Sequence, residues 1–227
     1  FFGNAYFEQN LETLRALPVE GIELSEATVA SDAYPLARPL YLYTTQDILR
    51  IRPQVAAFLF DYLQDANIVG EPIGYFPTTA ETAATGLADW AAATGLTVST
   101  AETLFPASGD IVATGSSTVG PLTRAVAAAM VDAQRLVGAV TVDEIGTDAG
   151  FRQFCIEGVG DLVNASRAMS NLDISACQEN GRIPAGFQVA NDGIPIVVST
   201  QNSYAAGLTL EQVRRIFIEA ETWDQID

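Results

Sequence analysis

The sequence contains neither histidine nor lysine. Without histidine there is no Ser-His-Asp relay, no imidazole base and no ordinary His-ligated zinc site. With lysine missing too, no side chain of that kind is present to activate a serine such as Ser117 as a nucleophile. Asp and Glu remain as acid–base groups, but no spacing singles out a pair. No catalytic residue, metal or cofactor is therefore expected. Positive charge is scarce: 11 Arg stand against 28 acidic residues, for a net charge of −17. Binding a nucleic-acid backbone needs clusters of Lys and Arg, so that class of partner is excluded. Long apolar runs are missing as well. Nothing approaches the roughly 18 uninterrupted apolar residues of a membrane-spanning helix. No signal-peptide pattern is present, and the opening Phe1-Phe2-Gly3, without Met, reads as that of a mature or cut product. Cysteine is limited to Cys155 and Cys177. The two are either buried free thiols or one disulfide, and their number alone does not decide.

What is present is enough for a real core. The 227 residues are 48% hydrophobic, which fits one or two domains. The chain is organised around Ile111–Met130. Ile111 to Ala113 reads as a buried strand, Thr114-Gly115-Ser116-Ser117 breaks it, and a helix is expected from Thr118. Leu122, Val126, Ala129 and Met130 give that helix one apolar face. Pro121 fits its first turn, where an N–H has no intrahelical partner. A strand, a small-residue turn and a helix N-terminus make an anion site, because free N–H groups and the helix dipole both favour negative charge. The same residues also make a plain Ser/Thr N-cap.

Along the rest of the chain, residues 1–15 suggest a helix ended by Pro18 and Gly21. Leu40–Thr44 reads as a strand. Pro53 opens a helix with a stripe of Val55, Phe58, Leu59, Tyr62 and Leu63. Residues 81–94 form an Ala-rich helix containing Trp90, and 95–109, without a clear period, are read as a linker. Val137–Val142 is a second strand, followed by the turn GTDAG and a helix carrying Phe151, Phe154 and Cys155. Residues 161–167 are a third strand, and Leu172–Asn180 a helix. Phe187–Ala190 and Ile194–Ser199 are expected as two strands around a hairpin-like Asn191-Asp192-Gly193 turn. Thr209 caps a helix through Glu219, with Leu210, Val213, Ile216 and Phe217 inward. Three successive strand ends thus carry GSST, GTDAG and ASR. In an alternating α/β pattern such ends lie side by side at the carboxyl edge of a parallel sheet, where ligands bind.

GSSTVGP at 115–121, GTDAGFRQFC at 146–155, DLVNASR at 161–167 and VANDGIPIVVSTQN at 189–202 occur in order, followed by LTLEQVRRIF at 208–217 and Trp223. Together they resemble the N-terminal part of the phosphate-binding proteins of ABC transporters. FFGNAYFEQN at 1–10, AYPLARPLYLY at 33–43, PQVAAFLFDYL at 53–63 and GYFP at 74–77 resemble the C-terminal part of the same family. The order is therefore inverted, and the middle of the family sequence is missing.

The resemblance implies an α/β, type II periplasmic-binding-protein-like lobe with a mixed sheet flanked by helices. Residues 1–94 would be the end of one module, 95–109 a linker and 110–227 the start of a second. In the family one lobe is built from the two chain ends, so the two parts would form one permuted lobe, or exchange between copies. The implied function is extracytoplasmic binding of inorganic phosphate or a similar oxyanion for an ABC permease, in the periplasm or outside the cell. The alternative is a secreted structural or assembly protein reusing the fold. Carried over by position, Thr118 matches a ligand-contacting Thr with Ser117 beside it. Thr147 matches a ligand-contacting Ser or Thr, and Ser166 and Arg167 end the third strand. Arg167 stands where the enteric type carries Asp. It would clamp an oxyanion with two parallel donors, or else serve as a surface ion pair. The family pattern also favours a Cys155–Cys177 disulfide.

Overall fold

The computed structural model describes residues 3–218; Phe1, Phe2, Glu219 and Trp223 lie outside the described residues. The chain forms two compact units. One comprises Phe1–Ala37, Gly74–Phe76 and Asp192–Asp227; the other comprises Arg38–Ile73 and Pro77–Asn191. Each draws on segments from both sides of residues 95–109.

The larger unit is built on a mixed five-stranded sheet, in the order Val140–Asp143, Ile111–Gly115, Leu162–Ala165, Ala37–Thr45, Pro184–Gly193. Ile111–Gly115 runs parallel to both neighbours, with Ala113 opposite Val142 and Leu162. Ala37–Thr45 runs antiparallel to Leu162–Ala165, with Leu42 opposite Asn164. Strands buried on both faces read as nearly continuous apolar runs, and Leu162–Ala165 is buried throughout. The helix Pro53–Gly70 is buried over the whole of Gln54–Leu63, not along the predicted stripe alone. Helix Ala80–Thr94 begins at the Thr79 cap and ends at left-handed Gly95. Its Trp90 donates to the Ala56 carbonyl at 2.9 Å and stacks on Phe60 at 4.8 Å.

Residues 95–109 are packed. Ala101 and Ala107 are buried, Ala107–Ser108 pairs with Leu136–Val137, and the Phe105 ring faces Phe60 at 6.4 Å. Single anchoring residues leave no period to read. The predicted strand Val137–Val142 is two strands, Leu136–Val137 and Val140–Asp143, on different partners.

In the smaller unit, residues 1–15 are not one helix. Helix Asn4–Glu8 is followed by a turn in which the Asn10 carbonyl accepts from Thr13 and Leu14, and then by strand Leu14–Leu17. That strand pairs antiparallel with Ile196–Ser199. The hairpin expected around Asn191-Asp192-Gly193 is absent, for Pro184–Gly193 is one continuous strand. Gly193 is there for close packing: a Cβ on it would lie 2.4 Å from Leu24 and 2.9 Å from Phe76. Leu17, Val19, Val29, Tyr34, Ile196 and Val213 form this unit's core. On helix Leu210–Ile218 Val213 is buried, whereas Leu210 and Phe217, expected inward, are exposed.

Cys155 and Cys177 form a disulfide, both buried, tying helix Thr147–Cys155 to helix Asn171–Glu179. Replacing both with Ala is expected to lower the unfolding free energy by about 3 kcal/mol, because the bridge restricts the unfolded chain. Denaturant unfolding of the variant against wild type, with and without reductant, checks this: reductant should shift only the wild type.

Candidate functional site

The carboxyl ends of three parallel strands are stitched together by backbone. Gly146 N–H donates to the Gly115 carbonyl and Ser116 N–H to the Asn164 carbonyl, each at 2.8 Å. Ser166 N–H donates to Thr147 Oγ1 at 3.2 Å. These bonds bring the GSST, GTDAG and ASR segments to one edge of the sheet. Gly115 makes the convergence possible. Its φ is +125°, and a Cβ there would lie 2.2 Å from the Asn164 carbonyl oxygen. Gly150 stands against Gly115 in turn, where its own Cβ would come within 2.7 Å of the Gly115 Cα. Two glycines thus let the helix Thr147–Cys155 sit on the end of the central strand.

The organising helix runs Gly120–Asp132, two residues later than the predicted start, so Ser117 and Thr118 lie in the turn before it. Buried Ser116 accepts from Thr118 N–H through its side chain, at 3.1 Å, and from Val119 and Gly120 N–H through its carbonyl. Ser117 is exposed and Thr118 half-buried. Neither this helix nor Thr147–Cys155 has a side-chain cap hydrogen bond. Four other helices are capped by Ser25, Thr45, Thr79 and Ser170. The plain N-cap reading of GSST is therefore not what the chain does. Two helix N-termini without side-chain caps, with Ser117, Thr118 and the Thr147–Ser166 hydroxyl pair (3.2 Å apart), share this edge.

Arg167 is placed differently from a free clamp. Its guanidinium donates to Asp148 at 2.6 and 3.0 Å, to Asp173 at 2.7 Å and to the Ala168 carbonyl at 2.9 Å. It also lies 5.0 Å over the Phe151 ring. The hydrogen bond to Asp173, and with it that to Asp148, holds the Arg167 pKa above the ordinary arginine range, against a lowering by burial. Burial alone would raise the Asp173 carboxyl, but hydrogen bonds from Arg167 and Ser170 outweigh it and hold the carboxyl below the usual range. Stability from this pair is present above the ordinary carboxylate range and fades as pH falls below it.

Sequence reasoning missed Ser116, Asp148, Asp173 and Arg38. Arg38 Nη2 donates to Thr118 Oγ1 at 3.1 Å across 80 residues of chain. The one signal was a basic residue opening an otherwise uncharged strand.

A family model described as "PBP superfamily domain" matches residues 98–227. Protein SphX of Synechocystis sp. (strain PCC 6803) is 32% identical over 121 residues, or 51% of this chain and 35% of SphX. The phosphate-binding protein PstS of Staphylococcus saprophyticus is 32% identical over 120 residues, or 52% of this chain and 37% of PstS. The chain spans about a third of the length of these curated relatives. A phosphate-binding protein of a phosphate ABC transporter from Streptococcus pneumoniae matches with a TM-score of 0.67. The match covers 94% of this chain and 72% of that one at 20% identity, a likeness of fold.

Proposed function

The chain belongs to the PBP superfamily, and from that premise we propose that it binds inorganic phosphate or a similar oxyanion as part of a solute-binding protein. The carrying observation is the pair of helix N-termini without side-chain caps, at the joined ends of three parallel strands. Ser117, Thr118, Thr147 and Ser166 are the ligand hydroxyls. Arg167 braces the Thr147 turn through Asp148 and Asp173. The relatives' names, phosphate-binding proteins, favour the same ligand class.

The role is binding without turnover, since no histidine or lysine supplies a general base. An ABC permease is the partner of the whole protein. The Cys155–Cys177 bridge suits the periplasm or cell exterior, where disulfides persist. Residues 1–94 and 110–227 are pieces of two modules joined through 95–109. Pairing of Ala37–Thr45 with Leu162–Ala165 supports their completing one sheet. Made between two copies, the same pairing would link chains.

One half of a cleft gives weak binding. Titrating the protein with inorganic phosphate is expected to show saturation with a dissociation constant on the order of 1 mM. Amide shifts are expected at 116–120 and 146–149. No saturable shift up to tens of millimolar, or the same shifts with chloride at equal ionic strength, contradicts the reading.

A further inference from the structure

The site as the sequence presents it has one arginine, Arg167, and the structure neutralises it. Two carboxylates flank that guanidinium, and the Asp148 side chain is 85% exposed beside Thr147. An arriving oxyanion therefore meets more negative than positive charge there. Hydroxyls and peptide N–H groups supply dipoles but no net charge, and charge-assisted hydrogen bonds are roughly twice as strong as neutral ones. A second cation is needed at this edge.

Arg38 is at the right place. The strand Ala37–Thr45 runs antiparallel to Leu162–Ala165, so its start lies at that strand's carboxyl end: Tyr41 stands opposite Ala165, and Arg38 is three residues further out. From there Nη2 reaches Thr118 Oγ1. The contact also has a direction. Arg38 has donors only, so the Thr118 oxygen accepts and its O–H is turned to donate elsewhere. The planar guanidinium, with five N–H donors, can hold Thr118 through one and an oxyanion through others.

We propose that Arg38 is an anion-binding residue of this site: it supplies the positive charge that Arg167 does not, and it orients the Thr118 hydroxyl as a donor to the ligand. This rests on the oxyanion-binding reading above. Phosphate affinity of the whole chain, followed by amide chemical shifts, is compared for wild type, Arg38→Gln and Arg152→Gln. The last removes an equal charge from an exposed arginine paired with Glu157.

Arg38→Gln is expected to weaken phosphate binding at least about tenfold, while Arg152→Gln changes it less than about twofold. Wild-type binding with an unchanged Arg38→Gln overturns the role of Arg38 and leaves the oxyanion site standing. No binding by wild type overturns both. Should Arg38→Gln fail to fold, the wild-type chain decides. Phosphate should then shift the Arg38 guanidinium Nε–H resonance, assigned by its loss in Arg38→Lys, and leave that of Arg152 in place. An unmoved Arg38 resonance at saturating phosphate overturns the proposal.

Discussion

Replacing Arg135 with methionine is expected to lower the free energy of unfolding by about 3–5 kcal/mol, because it leaves a buried carboxylate alone. Asp61 is 2% exposed, in the middle of helix Pro53–Gly70. Both its oxygens accept from Arg135, through Nε and Nη2, each at 2.7 Å. Arg135 further pairs with Glu102 at 3.0 Å and lies 3.5 Å over the Phe105 ring. The guanidinium is thus the joint between the central helix, segment 95–109 and the start of Leu136–Val137. Its own pKa is held above the ordinary arginine range, first by Asp61 and then by Glu102, against a lowering by burial. Methionine keeps much of the apolar contact and removes the charge. The loss should therefore be larger at pH 7 than at pH 4, where protonation relieves an unpaired carboxylate. Urea unfolding followed by circular dichroism at the two pH values measures both effects. A loss below about 1 kcal/mol at pH 7 would mean that Asp61 finds water or another partner.

The second large effect is at Gly115. An alanine there must hold a φ of +125°, and its Cβ must sit 2.2 Å from the Asn164 carbonyl oxygen, a backbone atom that cannot swing aside. Backbone strain of about 1–3 kcal/mol adds to overpacking of similar size. The expected loss is about 3–5 kcal/mol. The local consequence reaches the site, since opening the Ser116 N–H to Asn164 bond separates the GSST turn from the third strand. Gly115→Ala should unfold at lower denaturant and, where still folded, lose its phosphate-dependent shifts at 116–120. A variant as stable as wild type would mean that the strand end is looser than described.

The sequence shows some features of this fold because they are local. Pro53–Gly70 and Ala80–Thr94 announce themselves by apolar spacing, Pro at the start of one, and Thr79 and Gly95 around the other. The three strand ends are legible because each small-residue turn follows an apolar run. What is illegible depends on distant partners. Asn191-Asp192-Gly193 has turn chemistry, yet Gly193 is small to admit Leu24 and Phe76, from far away in sequence. Segment 95–109 packs through Ala101, Phe105 and Ala107 singly. Arg167 carries a family expectation, but its two carboxylates lie 19 and 6 residues away on either side. Arg38 reaches Thr118 only because the antiparallel strand brings it to the sheet's carboxyl edge.

The central claim is that one oxyanion site lies where the Gly120–Asp132 and Thr147–Cys155 helices begin. Crystals of the protein grown with arsenate, an isostere of phosphate with a usable anomalous signal, test it directly. A single anomalous peak within hydrogen-bond reach of Thr118, Thr147 and the Arg38 guanidinium is the predicted result. A peak elsewhere on the chain, or none at saturating arsenate, would contradict the account.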